Sequence, residues 1–339
     1  MEKPLKSPVG PAIDKGSTQQ MRRDRIHDGL LLAKILKKRS KLVANGCDMM
    51  VDKWVPNKHA FVKLNRIGSD SHFGEAYKVA NYDDPATPMF LAVKVLPDTA
   101  DAANELAMYK RFTSAVLTGV SPHFPIILST VKCDECRYEN QELFDNGPVP
   151  KECRYVFNEL ASGDLRTWSH TVHQPMEYYS MLAQVLLGLG FMHSKGYSHN
   201  DVHWGNVLHH AVPARGFWHY RVVAAKRTHD VYVRNTGQQW VWWDFGFMAK
   251  TTENVNHDLL KICESYEWAE NDLNVPYPAR VKAIMRRISA TATKMTDIAK
   301  SDVAPLLLGM FPVSTVVVHA AGQPVPKGVL NAQPFTLTV

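Results

Sequence analysis

Two strings constrain this chain more than anything else in it: HNDVHWGNVL and VWWDFG. The first holds Asp201 and, five residues on, Asn206; the second holds Asp244. An acid, an amide and a second acid in that order can handle a phosphoryl group. The first carboxylate, Asp201, orients a hydroxyl and accepts its proton as a general base. The amide of Asn206 and the carboxylate of Asp244 offer hard oxygen ligands that hold Mg²⁺ against the phosphates of ATP. Any fold must therefore bring a loop with Asp201 and Asn206 beside a turn with Asp244. The segment YYSMLAQVLLGLGFMHSKGYSHND reads as a mainly apolar, buried helix that delivers Asp201. His199 reads as a hydrogen-bonding support of the loop. Trp204, Trp242 and Trp243 read as packing residues.

The chain has 339 residues, 45% of them hydrophobic, enough for one bilobal domain or two small ones. A formal charge of +6 is mild and does not by itself imply nucleic acid. Residues 1–18, with Pro4, Pro8, Gly10, Pro11 and Gly16, read as a disordered tail. Residues 19–59 read as a basic helix and linker, with Ile26, Leu30, Leu31, Ile35 and Leu36 at helical spacing. The preferred reading packs this helix on the domain with a solvated basic face. Contact with an anionic surface, membrane or nucleic acid, is the alternative. Strands are expected over 60–67, 75–81, 89–96, 126–133 and 154–159, and helices over 102–117 and 177–194. A β-rich half at 60–160 followed by a helix-rich half at 161–339 makes an α+β chain of two lobes, with a nucleotide expected in the cleft between them.

RIGSDSHFGEAYKV lies between two expected strands. Gly68 and Gly74 would let backbone approach phosphates, with Asp70 or Ser71 midway between them. Lys94 closes the apolar run FLAVKVL, an unusual place for a surface lysine. Glu105, on the following helix, can pair with it and aim its ammonium.

At these residues, over about 60–300, the chain resembles the eukaryotic-type protein kinase superfamily. It is most similar to the serine/threonine kinase-like proteins of large DNA viruses, through HNDVHWGNVL, the aromatic stretch GFWHY…YVRNTGQQWVWWDFG and VLNAQPFTL. The catalytic loop is also similar to that of haspin-type kinases, which lack Asp-Phe-Gly. The resemblance implies a bilobal protein-kinase-like fold, with a small β-rich N-lobe and a larger, mainly helical C-lobe carrying an insert at about 209–240. It implies Lys94 on the α and β phosphates, paired with Glu105, and Gly68, Ser71 and Gly74 over the phosphates. Asn158 to Leu160 would lie against adenine, Phe157 behind it, and Asp164 near the ribose. ATP and Mg²⁺ are the implied cofactors, and a protein Ser or Thr hydroxyl the implied substrate.

There are departures. Asn200 stands where these kinases carry arginine, so coupling to an activation-loop phosphate is not expected. His203 stands where they carry lysine. No Ala-Pro-Glu follows Gly246, and the chain passes quickly into NVNHDLLKICESYEW, where Asp258 is expected to brace the catalytic loop. Two rival readings stay open: a choline-kinase-like small-molecule phosphotransferase and a pseudokinase scaffold. The five cysteines, 47, 133, 136, 153 and 263, read as reduced thiols of a cytosolic-type protein, monomeric and in a host-cell cytoplasm or virion if the viral likeness holds. The opening MEKPLKSPVGPAIDKG has no secretory apolar core, and the run near Thr315 to Ala321 is too short to span a membrane. Cys133, Cys136 and Cys153 could meet at adjacent strand ends, but no fourth zinc ligand is evident, so they read as incidental.

Overall fold

The structure is a computed structural model. It describes residues 19–43, 45–53, 60–68, 74–82, 89–136, 138–139, 150–224, 227–250, 255–273, 275–294, 307–320, 323, 325–331 and 333–338. The expected tail at 1–18, the linker residues 54–59 and Ser71 lie outside these residues.

The chain is α+β. Its first part is built on six strands: β1 (Met50–Val51), β2 (Phe61–Arg66), β3 (Glu75–Asn81), β4 (Met89–Pro97), β5 (Ile127–Cys133) and β6 (Cys153–Asn158). Their spatial order is β1-β2-β3-β4-β6-β5, antiparallel except for the short β1–β2 pair. The strand β4 is central, and its run of Leu, Ala, Val and Lys is buried on both faces. Helix α2 (Ala100–Leu117) starts where Thr99 accepts the N–H of Ala102 on its hydroxyl at 3.2 Å. It buries Glu105, Leu106, Tyr109 and Phe112.

Helix α1 (Gln19–Arg39) packs on β5. Leu36 is fully buried and Ile26 packs on the core, but Leu30 and Leu31 are exposed. The basic face is also not wholly solvated, because Arg25 turns inward into a buried ion pair.

The second part holds α3 (Leu165–Trp168), α4 (Pro175–Ser194), α5 (Val255–Leu273) and α6 (Ala279–Thr293). At the start of α4, Glu177 accepts the N–H of Gln174 at 2.7 Å, and Pro175 fills a position that needs no amide hydrogen. The body of α4, from Met181 to Leu189, is buried throughout, as its apolar text requires.

Among the described residues helix still outweighs strand in the second half, but the sheet there is larger than the expected insert alone supplies. Among the described residues, seven strands run beside these helices, in two sheets. The first sheet comprises β7 (Gly163–Asp164), β8 (Val207–Ala211) and β11 (Gln238–Trp242). The second comprises β9 (Phe217–Ala224), β10 (Arg227–Arg234), β12 (Val316–Ala320) and β13 (Phe335–Thr338). The expected insert supplies the β9–β10 hairpin, and the two distant strands cover its open edges, β12 on β10 and β13 on β9. Among the described residues, no helix is long and apolar enough to cross a membrane.

The cysteines also depart from expectation. Cys47 is joined to Cys133 and Cys136 to Cys153, and only Cys263 is free and buried. The residue that reading of the sequence left out is Cys47. It arrives on the short 3₁₀ turn Gly46–Met49, far upstream of the others.

Candidate active site

The ammonium of Lys94 sits between two carboxylates, donating to Glu105 Oε1 at 2.6 Å and to Asp244 Oδ1 at 2.8 Å. Each partner arrives by a different route: Lys94 from the middle of β4, Glu105 from the buried face of α2, Asp244 from the turn after β11. Burial alone would lower the Lys94 pKa, but Asp244 and Glu105 raise it above its ordinary value. For Asp244, burial acts in the opposite sense and is outweighed by Lys94, so the carboxyl is held below the usual range. Glu105 is different. Burial pushes it up to about 7 despite the pull of Lys94, and the negative charge of Asp244 adds to the rise. With two acids competing for one cation, Asp244 keeps its charge more firmly.

Asp244 has φ 57, a left-handed backbone conformation. For a residue with a Cβ this costs about 1–2 kcal/mol. The next residue provides the offset. Phe245 is fully buried, its ring 4.9 Å from both Tyr109 and Phe112 of α2. Burying such a ring contributes about 1.5–3 kcal/mol, more than the strain. The aromatic cluster therefore sets the turn and points Asp244 at Lys94.

Asp201 and Asn206 form the second half of the site. The Asn206 amide nitrogen donates to the Asp201 backbone oxygen and to Asp201 Oδ2, both at 2.9 Å. A cation would then take the amide oxygen. Trp243 N–H donates to the Asn206 carbonyl at 2.8 Å, so the segments bearing Asn206 and Asp244 are fastened side by side. An amide oxygen and a carboxylate held ionised by Lys94 are a donor set that suits Mg²⁺.

Asp258 braces the loop from α5. Its Oδ2 accepts the His199 N–H at 2.8 Å and lies 2.9 Å from His193 Nε2, while Oδ1 accepts the Asn200 N–H at 3.0 Å. Asn200, at φ 63, is held in the left-handed region by this carboxylate. His199 is fully buried, with Nε2 3.0 Å from the Trp243 carbonyl, so that nitrogen carries the hydrogen. Burial lowers its pKa, with Asp258 opposing, and a neutral buried imidazole is a support for the loop. His203 Nδ1 accepts the Gly205 N–H at 3.0 Å, which puts the hydrogen of a neutral ring on Nε2, 3.6 Å from Asp201 Oδ2. This imidazole holds the Asp201 carboxyl below its usual range.

A cleft of about 340 Å³ opens next to these residues: Gly205 and Trp243, the chain neighbours of Asn206 and Asp244, line it, whereas Lys94, Glu105, Asp201, Asn206 and Asp244 themselves do not. Gly68 and Ala92 line one side, Leu208 and Trp243 the other, and the connection Glu159–Asp164 its end. Leu160 and Asp164 are among its lining residues. One Asp164 oxygen is already used, capping α3 by accepting the Thr167 N–H at 2.6 Å. The side chains of Asn158 and Phe157 do not line the cleft. Asn158 is fully buried and does not line the cleft; its amide nitrogen donates to the Val156 carbonyl at 2.8 Å. It lies opposite Ala92 in the ladder, while Phe157 lies opposite Val93 and packs its ring 5.4 Å from Phe61. Since side chains alternate along a strand, Phe157 faces away from Ala92 and the cleft. Gly68, at φ 80, has open space around it. Gly74 is required for another reason, since a Cβ there would lie 2.1 Å from the Val95 carbonyl oxygen.

The sequence reading missed the fixture behind the cleft. Glu159 accepts both Nε and Nη2 of Arg25, Nε at 2.9 Å, and its Oε1 also accepts the Ile126 N–H at 2.8 Å. His210 lies 3.5 Å from the same oxygen. Burial would raise the Glu159 pKa; Arg25 and His210 outweigh it and hold the carboxyl far below the usual range. No local signal joins residues so far apart, and Arg25 looked like one more charge on a basic helix.

No protein-family model matches this chain, and no curated protein matches it. The functional reading therefore stands on the residues and their geometry.

Proposed function

We propose that this chain is an ATP- and Mg²⁺-dependent phosphotransferase acting on hydroxyl groups, with a bilobal protein-kinase-like fold. Within that class, the reading we favour is a serine/threonine protein kinase of the eukaryotic-type superfamily, most similar to the kinase-like proteins of large DNA viruses. The observation that carries it is the Lys94 ammonium held at hydrogen-bonding distance between Glu105 and Asp244, beside a cleft. A buried lysine fixed by two acids is costly to keep, and gripping phosphate oxygens explains its presence.

The roles follow from the chemistry. Leu160 would face the base of ATP and Lys94 its phosphates. Asn206 Oδ1 and Asp244 would hold Mg²⁺, which would supply charge neutralisation for the phosphates. Asp201, ionised and oriented by Asn206 and His203, accepts the proton of the attacking hydroxyl. Catalysis is positioning plus electrostatics, with Asp258 keeping the loop in register.

One observation favours a second reading. Helix α5 begins at Val255, shortly after Gly246, which leaves little chain for a peptide-docking segment. A small-molecule phosphotransferase, choline-kinase-like in its loop, would need none.

The test is transfer of γ-phosphate from labelled ATP with Mg²⁺, for wild type and Asp201→Asn. A mixed protein substrate and a panel of amino alcohols would be compared. Incorporation into Ser or Thr that falls about 10²–10⁴-fold in the variant, with ATP affinity nearly unchanged, is the expected result. Transfer only to an amino alcohol selects the second reading. Equal activity in the variant removes Asp201 from its role, and no transfer to any acceptor leaves a nucleotide-binding pseudokinase scaffold.

A further inference from the structure

Three cysteines cluster at the edge of the six-stranded sheet, and a fourth is attached to one of them. Cys133 ends β5 and lies directly opposite Cys153, which begins β6. Cys136 follows on the turn, its N–H donating to the Lys151 carbonyl at 2.7 Å, which closes the connection. The Sγ atoms of Cys133, Cys136 and Cys153 all lie within 4.8 Å of one another. Cys47 joins them from the Gly46–Met49 turn, its sulfur bonded to that of Cys133. Cys136 is bonded to Cys153.

We propose that, when reduced, Cys47, Cys133, Cys136 and Cys153 form a structural tetrathiolate site for Zn²⁺. Two disulfides require two pairs of sulfurs; they do not require both pairs to occupy the same few ångströms. A tetrahedral zinc site does. With Zn–S near 2.3 Å, the sulfurs stand about 3.8 Å apart, within the spread of the three mutually close thiols. The sequence spacing also suits zinc. Cys133-x-x-Cys136 is a knuckle-type pair on a turn, and ladder register fixes Cys153 against it. The Glu135 N–H approaches Cys47 Sγ at 3.5 Å, a backbone donor of the kind that stabilises a metal-bound thiolate. Cys133 and Cys153 are fully buried and Cys136 partly, so the site is closed, as a structural one should be. A dithiol reductant first reduces the two disulfides to four thiols, each disulfide taking two electrons and two protons and leaving the reductant as its own disulfide; loading then exchanges four thiol protons for one Zn²⁺ with no further electron transfer.

The consequence is an anchor. Zn²⁺ would clamp the segment just after α1 onto the β5–β6 edge, while Arg25 clamps the start of the same helix to the connection behind the cleft. The site is independent of the phosphotransfer reading and would stand if that reading failed.

The experiment uses the full chain, purified under reducing conditions without chelator and analysed for metal and free thiols. The expected result is one zinc per chain, with four thiols shielded from a thiol reagent until a chelator is added. Cys263→Ser should leave that stoichiometry unchanged, whereas Cys47→Ser and Cys153→Ser should each weaken zinc binding by at least about tenfold. In case those variants fail to fold, Co²⁺ replacing zinc in the wild-type chain should give thiolate-to-metal charge-transfer bands and intense tetrahedral d–d bands. Metal-free chain with all thiols reactive, two disulfides in the freshly isolated reduced preparation, no charge-transfer bands, or full zinc affinity in Cys47→Ser would each overturn the proposal.

Discussion

Replacing Arg25 with alanine should destabilise the chain by about 2–4 kcal/mol near neutral pH, a large effect for a residue on an outer helix. The magnitude follows from what the guanidinium leaves behind. Arg25 and Glu159 are each only 13% exposed. Besides Glu159, Arg25 donates to the Pro122 carbonyl at 2.7 Å and the Phe124 carbonyl at 2.6 Å. Truncation strands a buried carboxylate, a loss of about 3–5 kcal/mol when no partner remains. The Ile126 N–H and His210 stay in reach of Glu159 Oε1 and reduce it.

The pH dependence has a definite sign. The folded pKa of Glu159 is depressed, so its stabilising contribution is complete above the unfolded carboxylate pKa, about 4.3, and is lost as pH falls towards the folded value. The variant lacks most of that contribution. The stability gap between wild type and Arg25→Ala should therefore be full near neutrality and shrink under acid. Urea unfolding at neutral pH and at pH values below about 4.3 measures it, and a double-mutant cycle with Glu159→Gln isolates the pair, with an expected coupling of about 2 kcal/mol. An Arg25→Ala penalty below about 0.5 kcal/mol, or a penalty indifferent to pH, would refute the reasoning.

Two further perturbations test the site. In Glu105 the folded pKa is raised to about 7, so the nucleotide-free chain should lose stability as pH rises from the unfolded value through that range. Glu105→Gln should flatten that slope, by about 2 kcal/mol between mildly acidic and mildly alkaline pH in thermal or urea melts, while weakening nucleotide binding. Asp258→Ala removes the brace on His199, Asn200 and His193 and should cost about 3 kcal/mol, together with most transfer activity; unchanged unfolding would deny the brace its role.

The parts of this protein that were legible in its sequence share one property: their geometry is local. Alternation and apolar runs set β3 at Glu75–Asn81 and β4 from Met89, and a helical pattern over 102–117 set most of α2. Lys94, Glu105, Asp201, Asn206 and Asp244 could be named because each sits in a short string whose spacing has a chemical purpose, and the fold brings them into one neighbourhood. Strand register decided against Phe157 at the cleft, since one position along a strand reverses the face. The remaining features needed the tertiary structure. The Arg25–Glu159 pair, the arrival of Cys47 beside Cys133, and the closure of the β9–β10 hairpin by strands from the far end of the chain all join distant segments. Periodicity reports which face of an element is apolar. It carries no record of which distant element will cover that face, because that choice is made by the packing of the whole chain.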